Sequence, residues 1–190
     1  MILRQYLHVD PVAASYLYGC GGRAAAAVVD PIGEIGPYID AADETGMRIL
    51  YVIDTHLHAD HISSGRDLAR ATGADYVLFA DAQVAFPFHG VRDGEILALG
   101  NVAIEILHSP GHTPEHISLL ITDRTRSNEP WFVAGKLGSA EIANHERVAR
   151  QHRPKTARAP CFGAHKGSRR FPITWRCCRA RIPARSAGAA

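Results

Sequence analysis

Arg48-Ile49-Leu50-Tyr51-Val52-Ile53-Asp54-Thr55-His56-Leu57-His58-Ala59-Asp60-His61 is the stretch whose reading decides the fold. Its first six residues are apolar apart from Arg48, which predicts a buried strand over 48–53. The next residues change character abruptly: positions 56–61 hold three imidazoles and a carboxylate. In an extended chain, side chains at i and i+2 point to the same side, so His56 and His58 converge on one point. Asp60 and His61, expected at the start of a helix over residues 63–72, reach a neighbouring point. A polar strand-to-helix turn needs only one capping residue, whereas neutral imidazole and carboxylate are the ligands that suit Zn²⁺ and Fe²⁺. The stretch therefore predicts a metal site.

Outward from it, the 190 residues suit one domain with a sizeable core. Hydrophobic content of 46% with 21% charged residues places the chain among ordinary globular proteins. No apolar run reaches the length of a membrane-spanning helix, and the first residues lack the basic-then-apolar pattern of a secretory signal. Cys20 stands alone, and Cys161, Cys177 and Cys178 form neither a C-x₂-C metal pair nor a disulfide framework. A reducing cytoplasm is the expected compartment. The net charge of +2 conceals a division: residues 1–144 carry 9 Lys/Arg against 18 Asp/Glu, and residues 145–190 carry 12 against one.

Taken in order, residues 3–9 and 14–19 alternate as a β-hairpin, and residues 24–30 form a short apolar run that ends at Asp30-Pro31. A helix over 35–45, with Ile35, Ile39, Ala42 and Gly46 at helical spacing, precedes the strand at 48–53. The helix after the His-rich loop turns Leu68 and Ala71 inward and stops at Gly73. Strands follow at 76–79, 96–99, 102–107, 117–122 and 131–134, with a hairpin across Gly100-Asn101; residues 83–89, including Phe86-Pro87-Phe88, read as a loop that packs on the core, and 91–95 as a turn. This mixture of hairpins and crossovers predicts a layered α/β sandwich. A second cluster, His108-Ser109-Pro110-Gly111-His112-Thr113-Pro114-Glu115-His116, lies between two strands on a turn stiffened by its prolines, which is the preorganisation a ligand needs. His112 is the candidate ligand there, His108 and His116 are pocket-wall residues, and the Thr113 hydroxyl could hold an imidazole in one tautomer. His8, His89, His145 and His152 read as surface or structural, and Cys20 as a buried small hydrophobe.

These paired motifs resemble the metallo-β-lactamase superfamily. Thr55-His56-Leu57-His58-Ala59-Asp60-His61 matches its H-x-H-x-D-H signature and Pro110-Gly111-His112-Thr113-Pro114 its next ligand loop. Ala14-Ser15-Tyr16-Leu17 and Ala27-Val28-Val29-Asp30-Pro31 add likeness to the branch of persulfide dioxygenases and glyoxalase II-like thioester hydrolases. The resemblance covers roughly residues 1–135 and implies an αββα sandwich whose second half is incomplete here. For hydrolytic members it implies His56, His58 and His112 on a first ion, Asp60 and His61 on a second, and metal-activated water attacking a thioester; Asp60 is the candidate catalytic residue. For dioxygenases it implies one Fe²⁺ held by His56, His112 and an Asp, with His58, Asp60 and His61 around it. Fe²⁺ or Zn²⁺, as one or two ions, and a glutathione thioester or persulfide are thus the expected cofactor and substrate. No membrane or nucleic-acid partner is expected, and an oligomer is left open.

The likeness breaks after residue 135, where the family's Gly-Arg-x-Asp stretch and later Gly-His-Gly-type loop are not found. The family places a Gly-Asp pair after a strand like 131–134, but Gly135 is followed by Lys136, whose ammonium is repelled by a divalent cation. Glu141 and His165 are weak substitutes for the missing ligands. A catalytically impaired metal-binding remnant is accordingly the alternative to an active enzyme. The domain is expected to cover residues 1–144. The Arg/Ala/Pro-rich tail at 145–190 reads as poorly ordered and has the composition of GC-rich DNA translated out of frame. A solvated extension or a nucleic-acid-binding tail are the competing readings of it.

Overall fold

Two sheets, two α-helices and a short 3-10 turn at Gly21–Arg23 make up the described part of the structure, a computed structural model that describes residues 1–126, 128, 130 and 132–134. The first sheet is built from β1 (Ile2–Val9), β2 (Val12–Cys20), β3 (Ala25–Val29), β4 (Arg48–Ile53), β5 (Asp75–Phe79) and β6 (His89–Val91), side by side in chain order. β1, β2 and β3 are antiparallel neighbours, whereas β3, β4, β5 and β6 run parallel. Parallel neighbours need crossovers, and α1 (Gly36–Glu44) and α2 (Gly65–Thr72) supply the first two. The second sheet, in the order β10 (Phe132–Ala134), β9 (Ile117–Asp123), β8 (Val102–His108), β7 (Ile96–Leu99), is antiparallel throughout.

The middle of the first sheet is buried on both faces, which is why β3 reads as an uninterrupted apolar run. Ala25, Ala27 and Val29 join the core between the sheets, against Leu97, Leu99, Val102, Ile104, Ile106, Ile117, Leu119 and Ile121. Ala26 and Val28 face the opposite way, into a second core with Tyr38, Ala41 and Ala42 of α1 and Leu68 and Ala69 of α2. On β4 the simple alternation fails, since Ile49 and Val52 share the helix-side core although they are three residues apart. A register shift explains it: Ala26 pairs with Ile49 and Ala27 with Tyr51, so Leu50 is an extra residue. This bulge resets the phase of the strand, leaving Ile53 between the sheets and the chain beyond it aimed at the site. The α/β sandwich is as expected, with one helical layer and both sheets present among the described residues. Within them, no helix is long and apolar enough to cross a membrane.

Several local expectations change. β6 forms where the sequence predicts loop and turn; three residues paired to the edge of β5 are too short to show a period. In α2 it is Ala69, not Ala71, that turns inward with Gly65 and Leu68, following the i, i+3, i+4 face. The helix begins at Gly65, so Asp60 and His61 lie in the preceding bend and not at its start. The chain is detained there because Ser63 bridges to Ile32 and the Ser64 amide donates to the Pro31 carbonyl (3.0 Å). Phe86 packs on no core cluster; the Arg66 guanidinium covers its ring at 4.0 Å and Tyr76 lies beside it. Cys20 is buried as expected. The boundary at residue 144 and the basic tail fall outside the described residues.

Gly19 shows how closely the strands approach. A Cβ there would run into the Ala25 carbonyl oxygen, the Ala26 Cα at 2.8 Å and the Met47 sulfur at 2.8 Å. Two of those three are backbone and cannot yield. Gly19→Val should therefore cost about 2 kcal/mol or more, the penalty of overpacking a fitted interior, read as a lower urea midpoint with an unchanged slope.

Candidate metal centre

β4 ends at Ile53, and the chain passes through Asp54, Thr55 and His56 while still buried. Asp54 is held from two sides, since the Tyr76 hydroxyl donates to its Oδ2 at 2.6 Å and the amide of Asp54 donates to the Val77 carbonyl. Burial first, and then the neighbouring Asp30 carboxylate, push the Asp54 carboxyl up to about 6, against the hydroxyls of Ser63 and Tyr76. Asp30 follows β3 and adopts a left-handed backbone (φ 48°), a conformation that Asp tolerates better than most side chains. Its amide donates to the Ile53 carbonyl (2.9 Å), which fixes it beside the end of β4.

Around this buried base the histidines gather. The rings of His56 and His58 are 4.2 Å apart between centroids, and those of His58 and His61 4.3 Å. The ring of His112, from a loop more than fifty positions away, lies 4.8 Å from that of His56, nearly perpendicular to it. The five predicted residues thus come to one place. His56 is buried, His58 and His61 are partly so, and Asp60 and His112 are exposed at its mouth. Donor atoms of His58, Asp60 and His61 lie within 4.8 Å of one another, as do those of Asp30, Asp54 and His58. His112 meets His56 by ring contact and belongs to neither of these two groups.

Two loops are needed for this, and specific bonds join them. The Ile117 amide, at the start of β9, donates to the Thr55 carbonyl (2.8 Å). The Leu57 amide donates to Glu115 Oε1 (2.9 Å). Burial opposes ionisation of Glu115, yet the amide hydrogen bonds, Leu57's first, outweigh it and hold its carboxyl below the usual range. His116 is fully buried beneath the cluster, 5.3 Å from His56 between ring centroids, with its Nδ1 within hydrogen-bonding distance of the Ser109 hydroxyl and carbonyl. His108 stacks on Phe79 at 4.1 Å, its Nε2 bonded to the Pro114 carbonyl. The hydroxyl beside His56 Nδ1 is that of Thr55 (3.0 Å), not the Thr113 hydroxyl that the sequence suggests. His8 bonds Ser15, and His89 bonds Asp75.

The donor set also meets a test of fit. Nε2 of His56 and Nε2 of His61 are both buried, and neither has a hydrogen-bond partner among the described residues. A buried polar atom left unpaired costs about 1–3 kcal/mol, and two lone pairs left so in one cleft suit a cation. Burial first, then the other imidazoles, lower His56 to about 3, so it is neutral and able to ligate at physiological pH. Asp30 and Glu115 escaped the sequence reading. Each acts on a residue far along the chain, and the one available signal was a carboxylate directly after an apolar strand.

Residues 10–125 match the family described as the metallo-beta-lactamase superfamily. The chain belongs to that superfamily. It is 33% identical over 130 residues to human mitochondrial persulfide dioxygenase ETHE1, covering 66% of this chain and 50% of that protein. It is 36% identical over 168 residues to the hydroxyacylglutathione hydrolase of Methylococcus capsulatus, covering 84% of this chain and 65% of the relative. A match of that extent runs past residue 144 into the basic segment. The chain thus spans about half to two thirds of the length of these relatives. Among solved structures, a metallo-beta-lactamase of Staphylococcus aureus superposes with a TM-score of 0.67 at 34% identity, covering 71% of this chain and 42% of that one. ETHE1 from Myxococcus xanthus superposes with a TM-score of 0.60 at 30% identity, covering 64% and 54%.

The loop joint is open to a pH test. A carboxyl held below its ordinary value stabilises the fold above that range, and the contribution fades as pH falls through it. Glu115→Gln keeps an acceptor for the Leu57 amide but loses the charge. The wild type should melt above this variant at neutral pH, and the gap should close by pH ~3. A gap that stays constant with pH would mean that the charge contributes nothing.

Proposed function

We propose that this chain is a metal-dependent enzyme domain of the branch that contains persulfide dioxygenases and glyoxalase II-like hydrolases. The observation that carries the proposal is the meeting of His112 with His56, His58 and His61, two of them with buried unpaired Nε2 atoms. His56, His58, Asp60, His61 and His112 would hold the metal, Fe²⁺ or Zn²⁺, as one ion or two. When bound, such an ion supplies Lewis-acid polarisation, a water activated near neutral pH or, for iron, open positions for O₂ and substrate. The named activities of the relatives support a glutathione thioester or a glutathione persulfide as the substrate class.

The chain's own residues do the rest. Asp54, Tyr76 and Ser63 brace the buried base, and Tyr76 packs against the core that α2 closes. Gly65 is required there, because a Cβ on it would meet Tyr76 at 2.7 Å and Asp54 Oδ1 at 3.1 Å. Asp60 receives the Nδ1–H of His61 (2.9 Å), which leaves the other nitrogen of that ring as its lone pair. As an exposed carboxylate at the mouth, Asp60 is placed to take a proton from an incoming nucleophile. The exposure of His112 leaves the centre open on the side from which a thiol-derived substrate would enter.

A second reading has its own support. Lys136 stands where the superfamily has an Asp, and a chain lacking that carboxylate could bind metal without turning over substrate. Lys136, Glu141 and His165 lie outside the described residues. Purified protein should carry Fe or Zn near one equivalent by elemental mass spectrometry, and His56→Ala combined with His112→Ala should remove it. Persulfide-dependent O₂ uptake would identify a dioxygenase and thioester cleavage a hydrolase. Bound metal with neither activity would identify the remnant, and no metal after loading with either ion would remove both readings.

A further inference from the structure

We infer that His8 is a further substrate-binding residue of this centre: Ser15 and Tyr38 hold its ring so that Nδ1–H is offered, beside His61, to a carboxylate of the incoming thiol-derived substrate. The inference rests on the reading of the cleft as a metal centre for glutathione derivatives. It deepens that reading by naming which group of such a molecule is gripped, and by what. It follows from the direction of a chain of hydrogen bonds that starts at a backbone amide.

His8 follows Tyr6 by two residues on β1, so both point to the same side of the hairpin. Tyr6 meets Tyr38 of α1 there, with ring centroids 4.8 Å apart, and Ser15 lies opposite Tyr6 in the strand register. Ser15 and Tyr38 are buried, where each polar atom needs a partner. The Ile32 amide donates to the Tyr38 hydroxyl oxygen at 3.1 Å. The phenol has one proton to give, with Ser15 Oγ at 2.8 Å and the Ile32 carbonyl at 3.3 Å. The shorter contact, and the greater acidity of a phenol than of a serine hydroxyl, direct that proton to Ser15. Ser15 then gives its own to His8 Nε2, 2.6 Å away. With Nε2 accepting, a neutral His8 carries its proton on Nδ1.

The same chain fixes His8 relative to the metal centre. Ile32, whose amide begins it, also bridges to Ser63, two residues after His61. Burial, and then the nearby His61, make a second proton on His8 unfavourable and keep the ring neutral. Leu7 and Val9 on either side are exposed, whereas His8 is half-buried. A histidine that only braced the hairpin would need Nε2 alone. Nδ1 has no hydrogen-bond partner among the described residues, yet it is not a buried atom, so it opens to solvent. Glutathione derivatives bring carboxylates to a mouth where the exposed Asp60 repels them. A fixed N–H on the hairpin side gives one of them a charge-assisted partner. Being neutral, it adds no positive charge to oppose a bound cation.

Two measurements on the full chain separate this role from a bracing one. Long-range ¹H–¹⁵N spectra of the metal-free protein, labelled at histidine, should show His8 in the Nδ1–H form. Ser15→Ala should return it to the Nε2–H form that a free imidazole side chain prefers. The zinc-loaded chain should bind S-methylglutathione, which keeps the carboxylates and has no bond to cleave. His8→Ala should weaken that binding about 10-fold, the loss expected of a hydrogen bond to a charged group, with zinc content unchanged. His8→Asn, whose amide nitrogen can stand where Nδ1 does, should recover most of it. The dimethyl ester of S-methylglutathione, without carboxylate charge, should bind the wild type and His8→Ala alike.

A wild-type His8 in the Nε2–H form would overturn the inference. So would S-methylglutathione binding within about twofold for the wild type and His8→Ala, even if the variant melts lower, since that is the mark of a brace. If His8→Ala does not fold, the tautomer and the preference of the wild type for S-methylglutathione over its dimethyl ester decide the matter. A zinc-loaded wild type that does not bind S-methylglutathione would overturn the substrate reading together with this one. Failure to hold zinc or iron at all, reported separately by metal analysis, would overturn the metal reading and this inference with it.

Discussion

The hydrogen bond from the Ile117 amide to the Thr55 carbonyl, 2.8 Å long, is the contact on which the centre depends. The two sheets adhere through apolar burial, which is strong but non-directional and does little to stop one sheet sliding on the other. Directional bonds at one edge remove that freedom. Ile117 to Thr55 ties the start of β9 to the exit of β4, and Glu115 to Leu57 repeats the tie two residues farther along each loop. With both in place, the loop carrying His112 closes over the segment carrying His56, His58 and His61. Neither loop alone brings this set of rings together.

A strand buried on both faces makes the base of the site rigid. Helix-side residues of β4 pack under α1 and α2, and Ile53 packs on the second sheet. The extra residue Leu50 decides which side chain goes where, since without it Asp54 and Thr55 would exchange faces. Asp54 would then lose Tyr76, and Thr55 would lose Asp30. The bulge is therefore a condition of the chemistry, although it lies among purely apolar residues some distance from any donor atom.

What could be read in the amino-acid order, and what could not, divides along sequence separation. His56 and His58 share a face through a two-residue period, a property of any extended chain, so their convergence was legible. The Pro-Gly-His-Thr-Pro turn was legible too, because prolines declare a fixed backbone locally. Asp30 was not, since its importance arises from parallel pairing of β3 with β4, which brings it beside Thr55 across 25 positions. Glu115 meets Leu57 across 58 positions, and nothing local distinguishes it from a surface carboxylate. The start of α2 lies later than the local pattern predicts because its delay comes from a bridge back to Ile32, another partner out of local view.

Charge supplies the last step. Asp30, Asp54 and Asp60 surround His58, and they lift its affinity for a proton, Asp30 first, against the burial that opposes it. Asp54 in turn is pushed up to about 6 by burial and by Asp30. A metal-free centre thus holds negative charge it can relieve only by taking up protons. A divalent cation would relieve it more fully, and its own field would favour the ionised form of the Asp54 carboxyl. His56 lies deeper and is kept neutral, so its lone pair is available without first losing a proton. Anionic groups that attract the ion and a neutral ring that receives it are therefore contributed by different depths of one cleft. Because those carboxylates come from β3, β4 and the loop after β4, this arrangement is complete before residue 136 is reached.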